Sequence, residues 1–283
     1  MKKIYNVILN YNGYEDTILL LKSLPKLKAP GYQISTVIID NRSTDDSVGR
    51  LSELIGQLKI DKLIENRKNI GFAKGNNVGI KYALNQGAVY ILLLNNDTKI
   101  VDNFLPSLLK IDADIASPVV QFHEFKESKN WIYDYGGFIN WTTGRTYHIN
   151  KNSQPKTNNI QTIPVDYIAG CCMFIKRKVF ETIGLLDEKY FIYFEDVDFC
   201  VTAKKKGFSV IVDPTTTIYH KLGGSMDRWS KRAIYRNLLG NFIFITKHLG
   251  WKRITGYAYL FVLTAKIIRD RLMGNIKRKL KVT

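Results

Sequence analysis

Apolar runs recur through the first hundred residues, and each closes on polar residues. Residues 4–9 lead into Asn10-Tyr11-Asn12, and residues 37–39 lead into Asp40. A short run at 63–64 follows, and residues 89–94 lead into Asn95-Asn96-Asp97. Between these runs the apolar spacing is helical. Residues 14–24 read as a helix that Pro25 stops. Ser43 or Thr44 is placed to cap a second helix through Val48, Leu51, Leu54 and Ile55. Residues 73–84 read as a third. The order β-α-β-α-β-α-β predicts a mostly parallel sheet with helices on both faces. Polar residues just after its strands lie at the carboxyl edge, where open α/β sheets bind ligands.

The pattern changes after residue 100. Gly136-Gly137 and a Thr143-Gly144 turn sit among β-prone residues, predicting a hairpin over 135–148. Residues 150–162 are polar and read as a loop. Residues 179–183 and 197–206 read as helices stopped by Gly184 and Gly207, and 208–212 as a strand. Two apolar helices follow, at 234–249 and 254–272. The second is apolar on nearly all sides from 257 to 263, yet Lys266 and Arg269 leave it short of the roughly 20 apolar residues of a membrane span. It fits a helix lying in a membrane interface or one packed on the body, and both readings stay open.

Composition narrows the classes. Hydrophobic content of 45% in 283 residues supports a sizeable core in one large domain, or one domain with an appendage. Three cysteines, two of them adjacent (Cys171, Cys172, Cys200), make a poor disulfide framework and point to a reducing compartment. Two lysines lead straight into the first strand-like run, so no signal peptide is read. The net charge of +17 is uneven. Residues 1–220 hold 27 Lys/Arg against 23 Asp/Glu, and residues 221–283 hold 15 against 2. A basic tail suits an anionic surface. It lies beside apolar helices rather than in an aromatic-interleaved groove, which argues against nucleic acid.

Candidate chemistry gathers at the polar strand ends. Asp40, Asn10 and Asn12 are placed to bond a base or ribose, although capping and Asx turns account for Ser43, Thr44 and Asp45. The segment Asn69-Ile70-Gly71-Phe72-Ala73-Lys74-Gly75-Asn76-Asn77 is glycine-rich and opens a helix, an arrangement that suits phosphate. It is neither a P-loop nor a G-x-G-x-x-G fingerprint, which counts against ATPase and NAD-dependent activities. Asp97 is a candidate ligand for Mg²⁺ or Mn²⁺, since one carboxylate plus substrate phosphates and waters suffices for Mg²⁺. His220, after the strand-like 217–219, is either a second ligand or structural. Glu195, Asp196 and Asp198 follow an aromatic run, and as a helix start they would also favour the helix dipole.

Taken in order, these strings resemble family 2 glycosyltransferases of the GT-A fold, especially the rhamnosyltransferase-like bacterial branch. The similarity runs over about residues 4–225 and includes Gly170-Cys171-Cys172-Met173, residues 191–200, Tyr219-His220 and Gly223-Gly224-Ser225. It implies a Rossmann-like α/β catalytic domain over 1–225, with a nucleotide-binding half to about residue 100 and an acceptor half beyond. Residues 226–283 would form a basic, helical, membrane-associating extension. It implies donor binding by Asn10, Tyr11, Asn12, Asp40, Ser43, Asn69, Gly71, Phe72, Gly75, Asn76, Asn95 and Asn96. Asp97 matches the last position of the family's D-x-D motif, where Asn95 replaces the first acid, and His220 matches a position that completes the metal site. Asp196 matches the catalytic base. Gly170, Cys171, Glu195 and Arg236 fall on the acceptor side. The expected activity is inverting transfer from a nucleoside diphosphate sugar, dTDP-rhamnose before a UDP-hexose, to a lipid-linked or polysaccharide glycan. Work at the inner face of the plasma membrane, in surface-polysaccharide synthesis, is implied, with a homodimer left open. The rival activities are a metal-dependent sugar nucleotidyltransferase and a non-catalytic nucleotide-sugar binder.

Overall fold

The apolar runs form the strands expected of them. The computed structural model describes residues 1–58, 60–123, 132–149, 162–221 and 230–273. The first half alternates β1 (Lys2–Asn10), α1 (Tyr14–Ser23), β2 (Tyr32–Asp40), α2 (Ser47–Ser52), β3 (Ile60–Glu65), α3 (Phe72–Asn85) and β4 (Ala88–Asn95). Then come β5 (Thr98–Ile100), α4 (Leu105–Ile111), β6 (Ile115–His123), β7 (Ile132–Asp134) and the hairpin β8 (Gly137–Asn140) and β9 (Arg145–His148). The rest is β10 (Ile163–Pro164), β11 (Cys172–Lys176), α5 (Arg177–Ile183), α6 (Glu195–Lys205), β12 (Val210–Lys221), α7 (Lys231–His248) and α8 (Arg253–Leu272).

Two elements differ from the expectation. Helix α2 starts at Ser47, and neither Ser43 nor Thr44 caps it. Their hydroxyls face Asp40 and Asn12 instead. The strand predicted at 208–212 continues through Pro214 to Lys221, because its register shifts between Asp213 and Thr217 and so accommodates the proline. Residues 150–161 of the expected 150–162 loop, the Gly223-Gly224-Ser225 string and the tail after residue 273 lie outside the described residues.

The main sheet runs β3-β2-β1-β4-β11-β6-β12-β10, with β5 paired to β12 and β7 to β6. Its first four strands are parallel, and β11 is antiparallel to both neighbours. Pleating sends alternate residues to opposite faces, so strands buried on both faces read as continuous apolar runs. Tyr5, Val7, Val37 and Ile39 pack under α3, whereas Ile4, Ile8 and Ile38 pack under α1 and α2. Helix α3 lies so close that a Cβ on Gly79 would stand 2.3 Å from Ile39 and 2.6 Å from Val7. Gly79→Val is therefore expected to destabilise the fold by about 1–3 kcal/mol, read as a lower urea midpoint at unchanged slope.

Both tail helices pack against the rest of the chain along one side. Helix α7 packs on the body through Phe244 and Ile245. Buried Asp198 on α6 binds Lys247 Nζ at 2.8 Å, His248 Nε2 at 2.7 Å and the Tyr190 hydroxyl at 3.0 Å. Helix α8 packs on α7 by one face, with Gly256 against Ile245 and Phe242 stacked on Tyr257. Its opposite face carries Ile254, Ala258, Phe261, Val262, Ala265 and Ile268 in contact with solvent. Among the described residues, no helix is long and apolar enough to cross a membrane.

Candidate active site

The parallel strands end in register, with Asn10 opposite Asp40, Asp40 opposite Glu65 and Leu9 opposite Asn95. Their polar ends therefore form one edge. Part of that edge faces inward. Asp40, fully buried, accepts from Asn10 Nδ2 at 2.8 Å, from the Ser43 amide at 2.7 Å and from the Ser43 hydroxyl at 2.6 Å. Asn10 Oδ1 accepts from Thr17 at 2.8 Å, and Asn96 Nδ2 donates to Thr17 Oγ1 at 3.1 Å. Asn10, Asp40, Ser43 and Asn96 thus brace the edge from within. Tyr11 and Asn12 lie in the bend beyond them, where Asn12 meets the Thr44 amide at 2.7 Å.

The glycine-rich loop is shaped by a residue that the motif reading passed over. Asn41 Nδ2 donates to Asn69 Oδ1 at 3.0 Å and to the Gly71 carbonyl at 3.1 Å, while Asn41 Oδ1 accepts from the Ile70 amide at 3.2 Å. Gly71 has φ of 87°, and a Cβ there would lie 2.5 Å from the Phe191 carbonyl. The Phe72 amide donates to that carbonyl at 2.6 Å, so the first amide of α3 already has a protein partner. Gly75 is buried against Leu9, and Asn76 bonds the Phe72 carbonyl. Both are engaged within the protein, Gly75 in packing α3 onto the sheet and Asn76 inside the helix. This loop and the segment before Glu195 are consequently tied together across the cleft.

Asp97 and His220 lie 123 residues apart, and strand pairing unites them. β5 pairs antiparallel with β12, placing Thr98 opposite His220, and the Lys221 amide donates to the Asp97 carbonyl at 3.0 Å. His220 Nε2 then lies 3.0 Å from Asp97 Oδ1. Burial works against a charged imidazole, but the facing Cys171 and Asp97 side chains push it up to about 10. Asn95 Oδ1 and His220 Nδ1 are buried with no hydrogen-bond partner. A carboxylate oxygen and an imidazole nitrogen 3.0 Å apart, with the Asn95 side-chain amide 3.4 Å from the same ring nitrogen, fit Mg²⁺ or Mn²⁺ provided that the ion displaces the ring proton. Among the described residues, no group of three or more His, Cys, Asp or Glu side chains is arranged to hold a metal. Any ion there would need ligands from substrate or water.

A cavity of about 580 Å³ is lined by Asn95 and His220 on this side and by Gly170, Cys171, Glu195 and Asp196 on the other, and α7 contributes Ala233 and Asn237. Tyr193 and Phe194 both have positive φ, 74° and 72°, and this tight turn starts α6 at Glu195. Gly240 makes room for it, since a Cβ there would lie 2.8 Å from the Tyr193 carbonyl. Asp196 Oδ2 accepts from the Gly170 amide and Oδ1 from the Val197 amide, each at 2.8 Å. Burial nevertheless raises the Asp196 carboxyl above its ordinary range. Burial, with the Asp196 charge beside it, raises Glu195 well above its own, and Glu195 Oε2 has no hydrogen-bond partner. Burial pushes the Cys171 thiol up, which disfavours a thiolate. Arg236 is not on the cavity wall. Its guanidinium sits 4.1 Å over the Phe191 ring beside the cleft.

Comparison with known proteins places this arrangement. The family described as Glycosyl transferase family 2 matches residues 6–184. The dTDP-rhamnosyl transferase RfbF of Shigella flexneri is 26% identical over 224 residues, covering 78% of this chain and 69% of that protein. The N-acetylglucosaminyl-diphospho-decaprenol L-rhamnosyltransferase of Mycobacterium tuberculosis is 29% identical over 124 residues, or 42% of this chain and 40% of that protein. A crystal structure of GalNAc-T7 with UDP, GalNAc and Mn²⁺ superposes with a TM-score of 0.68 at 15% identity, over 87% of this chain and 48% of that one. The chain therefore spans less than half the length of the last two. The shared fold is GT-A.

Proposed function

The chain belongs to glycosyl transferase family 2, and we propose that it moves a sugar from a nucleoside diphosphate to a hydroxyl of a lipid-linked glycan, inverting the anomeric centre. The observation that carries this reading is the Asp196 carboxylate, held by two amides in the wall of one cavity with His220, the partner of Asp97. The Shigella relative makes dTDP-rhamnose the first candidate donor, ahead of a UDP-hexose, and the mycobacterial one suggests a polyprenyl-diphosphate acceptor.

Roles follow from position. Tyr11, Asn12, Asn69, Gly71, Phe72 and Asn95 would meet the donor, with Asn10, Asp40, Ser43, Gly75, Asn76 and Asn96 supporting them. Asp97 and His220 would hold a divalent cation beside Asn95, and the ion would offset the diphosphate charge as it departs. Asp196 takes the proton from the acceptor hydroxyl as that oxygen attacks. The amides of Gly170 and Val197 fix its orientation, leaving little rotation between binding and proton transfer. Glu195, whose carboxyl is raised by burial and by the Asp196 charge, sits beside the base with Oε2 unpartnered and would face the acceptor. Attack from the face opposite the leaving group inverts the centre without a protein nucleophile.

In this reading residues 1–225 carry the chemistry and 226–283 the membrane contact, with α7 also lining the acceptor side. Arg236, Lys231 and Arg232 would flank the acceptor diphosphate. The solvent-facing stripe of α8, where Ile254, Phe261, Val262 and Ile268 are 54–75% exposed, would lie in the interface. Lys252, Arg253, Lys266 and Arg269 would meet anionic headgroups. The protein is expected to float with phosphatidylglycerol-containing vesicles, and the double variant F261D/V262D is expected to remain below. Equal recovery of the two proteins would remove the membrane role, and a mass shift of the variant in size-exclusion light scattering would instead assign the stripe to a second copy.

The donor is tested by thermal shift with Mg²⁺ or Mn²⁺ and a panel of nucleotide sugars. Selective stabilisation by one dTDP- or UDP-sugar supports the reading, and no response to any donor by the folded protein contradicts it.

A further inference from the structure

One buried ion pair in the cavity wall has no part in the mechanism above. Asp134 ends β7 and is 3% exposed, and His148 ends β9. Asp134 Oδ1 accepts from the Gly136 amide at 2.8 Å. Its Oδ2 lies 2.8 Å from His148 Nδ1, a charge-pair distance, and neither atom makes a hydrogen bond among the described residues. Both residues line the same cavity as Glu195 and Asp196. The imidazole meets the Tyr167 ring edge-on at 5.4 Å. The hairpin beneath it is fixed. The Thr255 hydroxyl of α8 donates to the Thr142 carbonyl, and Gly144 packs so close to Ile245 that a Cβ would stand 2.7 Å away.

A purely structural pair would bury the ring on all sides. Here Nδ1 is buried, yet the His148 side chain is 33% exposed. With Nδ1 buried beside a carboxylate, Nε2 is the ring nitrogen left to meet a ligand in the cavity. Position decides what it meets. His148 lies in the acceptor half beside Gly170 and Asp196, whereas the Asn12 and Asn69 edge lies at the ends of β1 to β3. His148 also interacts electrostatically with Asp196.

We propose that His148, positioned by Asp134, binds a second hydroxyl of the acceptor sugar while Asp196 deprotonates the first. The acceptor class is thus a sugar with at least two free hydroxyls, recognised through its ring and not only through a diphosphate. This inference rests on the glycosyltransferase reading of the cleft.

The test uses the full chain, the donor selected by the panel, and N-acetylglucosaminyl-diphospho-decaprenol as acceptor. H148A is expected to lower kcat/KM for the acceptor about tenfold or more, while donor KM and the slow hydrolysis of donor by water stay within about twofold. H148Q, whose amide reaches the Nε2 position, should restore part of the loss. D134N should move the acceptor constant in the same direction, with the thermal midpoint showing each variant folded. Unchanged acceptor kinetics in H148A, or a donor KM rising in step, would overturn the assignment. If the wild type hydrolyses donor but glycosylates no sugar acceptor, or if hydrolysis falls tenfold in H148A, the assignment of His148 to the acceptor fails while the donor reading of the cleft stands.

Discussion

Asp196→Asn is expected to lower turnover by about 10²–10⁴-fold while leaving donor affinity nearly unchanged. The amide matches the carboxylate in shape and keeps an oxygen for the Gly170 amide, while its NH2 faces the Val197 amide, so the thermal midpoint of the variant is read alongside turnover to show it folded. It cannot take a proton. The effect should therefore appear in kcat, and a parallel rise in donor KM would indicate a structural role. The pH profile adds a second readout. A base works only when ionised, and burial raises the Asp196 carboxyl above its ordinary value. Turnover should fall as pH drops through that raised value, with the acid limb above the usual carboxylate range. In the variant that limb should be lost. An acid limb retained unchanged would assign the ionisation to another group.

Asp97→Ala should give the other large loss, about 10²–10³-fold in kcat/KM, corresponding to several kcal/mol of charge stabilisation. It should also abolish the donor-dependent thermal shift with Mg²⁺ or Mn²⁺, read against the variant's own ligand-free midpoint, which loss of the buried Asp97–His220 contact lowers. The Asp97 carbonyl, which accepts from the Lys221 amide, survives the substitution, so the strand end stays in place. H220A should weaken the metal dependence less, because Asp97 and Asn95 remain. Full activity of D97A with chelator present would show that this pair holds no ion.

Much of this was legible in the chain, for identifiable reasons. Strands buried on both faces must be apolar throughout, so the runs before Asn10, Asp40 and Asn95 announced themselves. The acids Glu195, Asp196 and Asp198 do open a helix. Side-chain direction at the edge was not legible. Asp40 and Asn10 follow strands as ligand-binding residues do, yet both turn inward, because Ser43 and Thr17 satisfy them there. Ser43 looked like a helix cap and instead holds Asp40. Asn41 passed unnoticed because nothing in its spacing distinguishes a loop-shaping amide from its neighbours. The pairing of Asp97 with His220 depends on β5 crossing to β12, a long-range contact that periodicity cannot encode. The pairing of Asp134 with His148 depends on the turn at Gly136 and on a hairpin whose register only the fold reveals. Helix α8 read as apolar all round because its two apolar faces have different neighbours, α7 on one side and solvent on the other.

The central claim is transfer of a sugar from a nucleoside diphosphate with inversion. Its most direct test is product analysis after incubating the protein with the selected donor, metal and lipid-linked acceptor. The account predicts a free nucleoside diphosphate in equal amount to a new glycoside, whose anomeric configuration by NMR is opposite to the donor's, with neither product formed by D196N. Release of inorganic diphosphate with a nucleotidyl group transferred, or a glycoside that retains the donor's configuration, would contradict it.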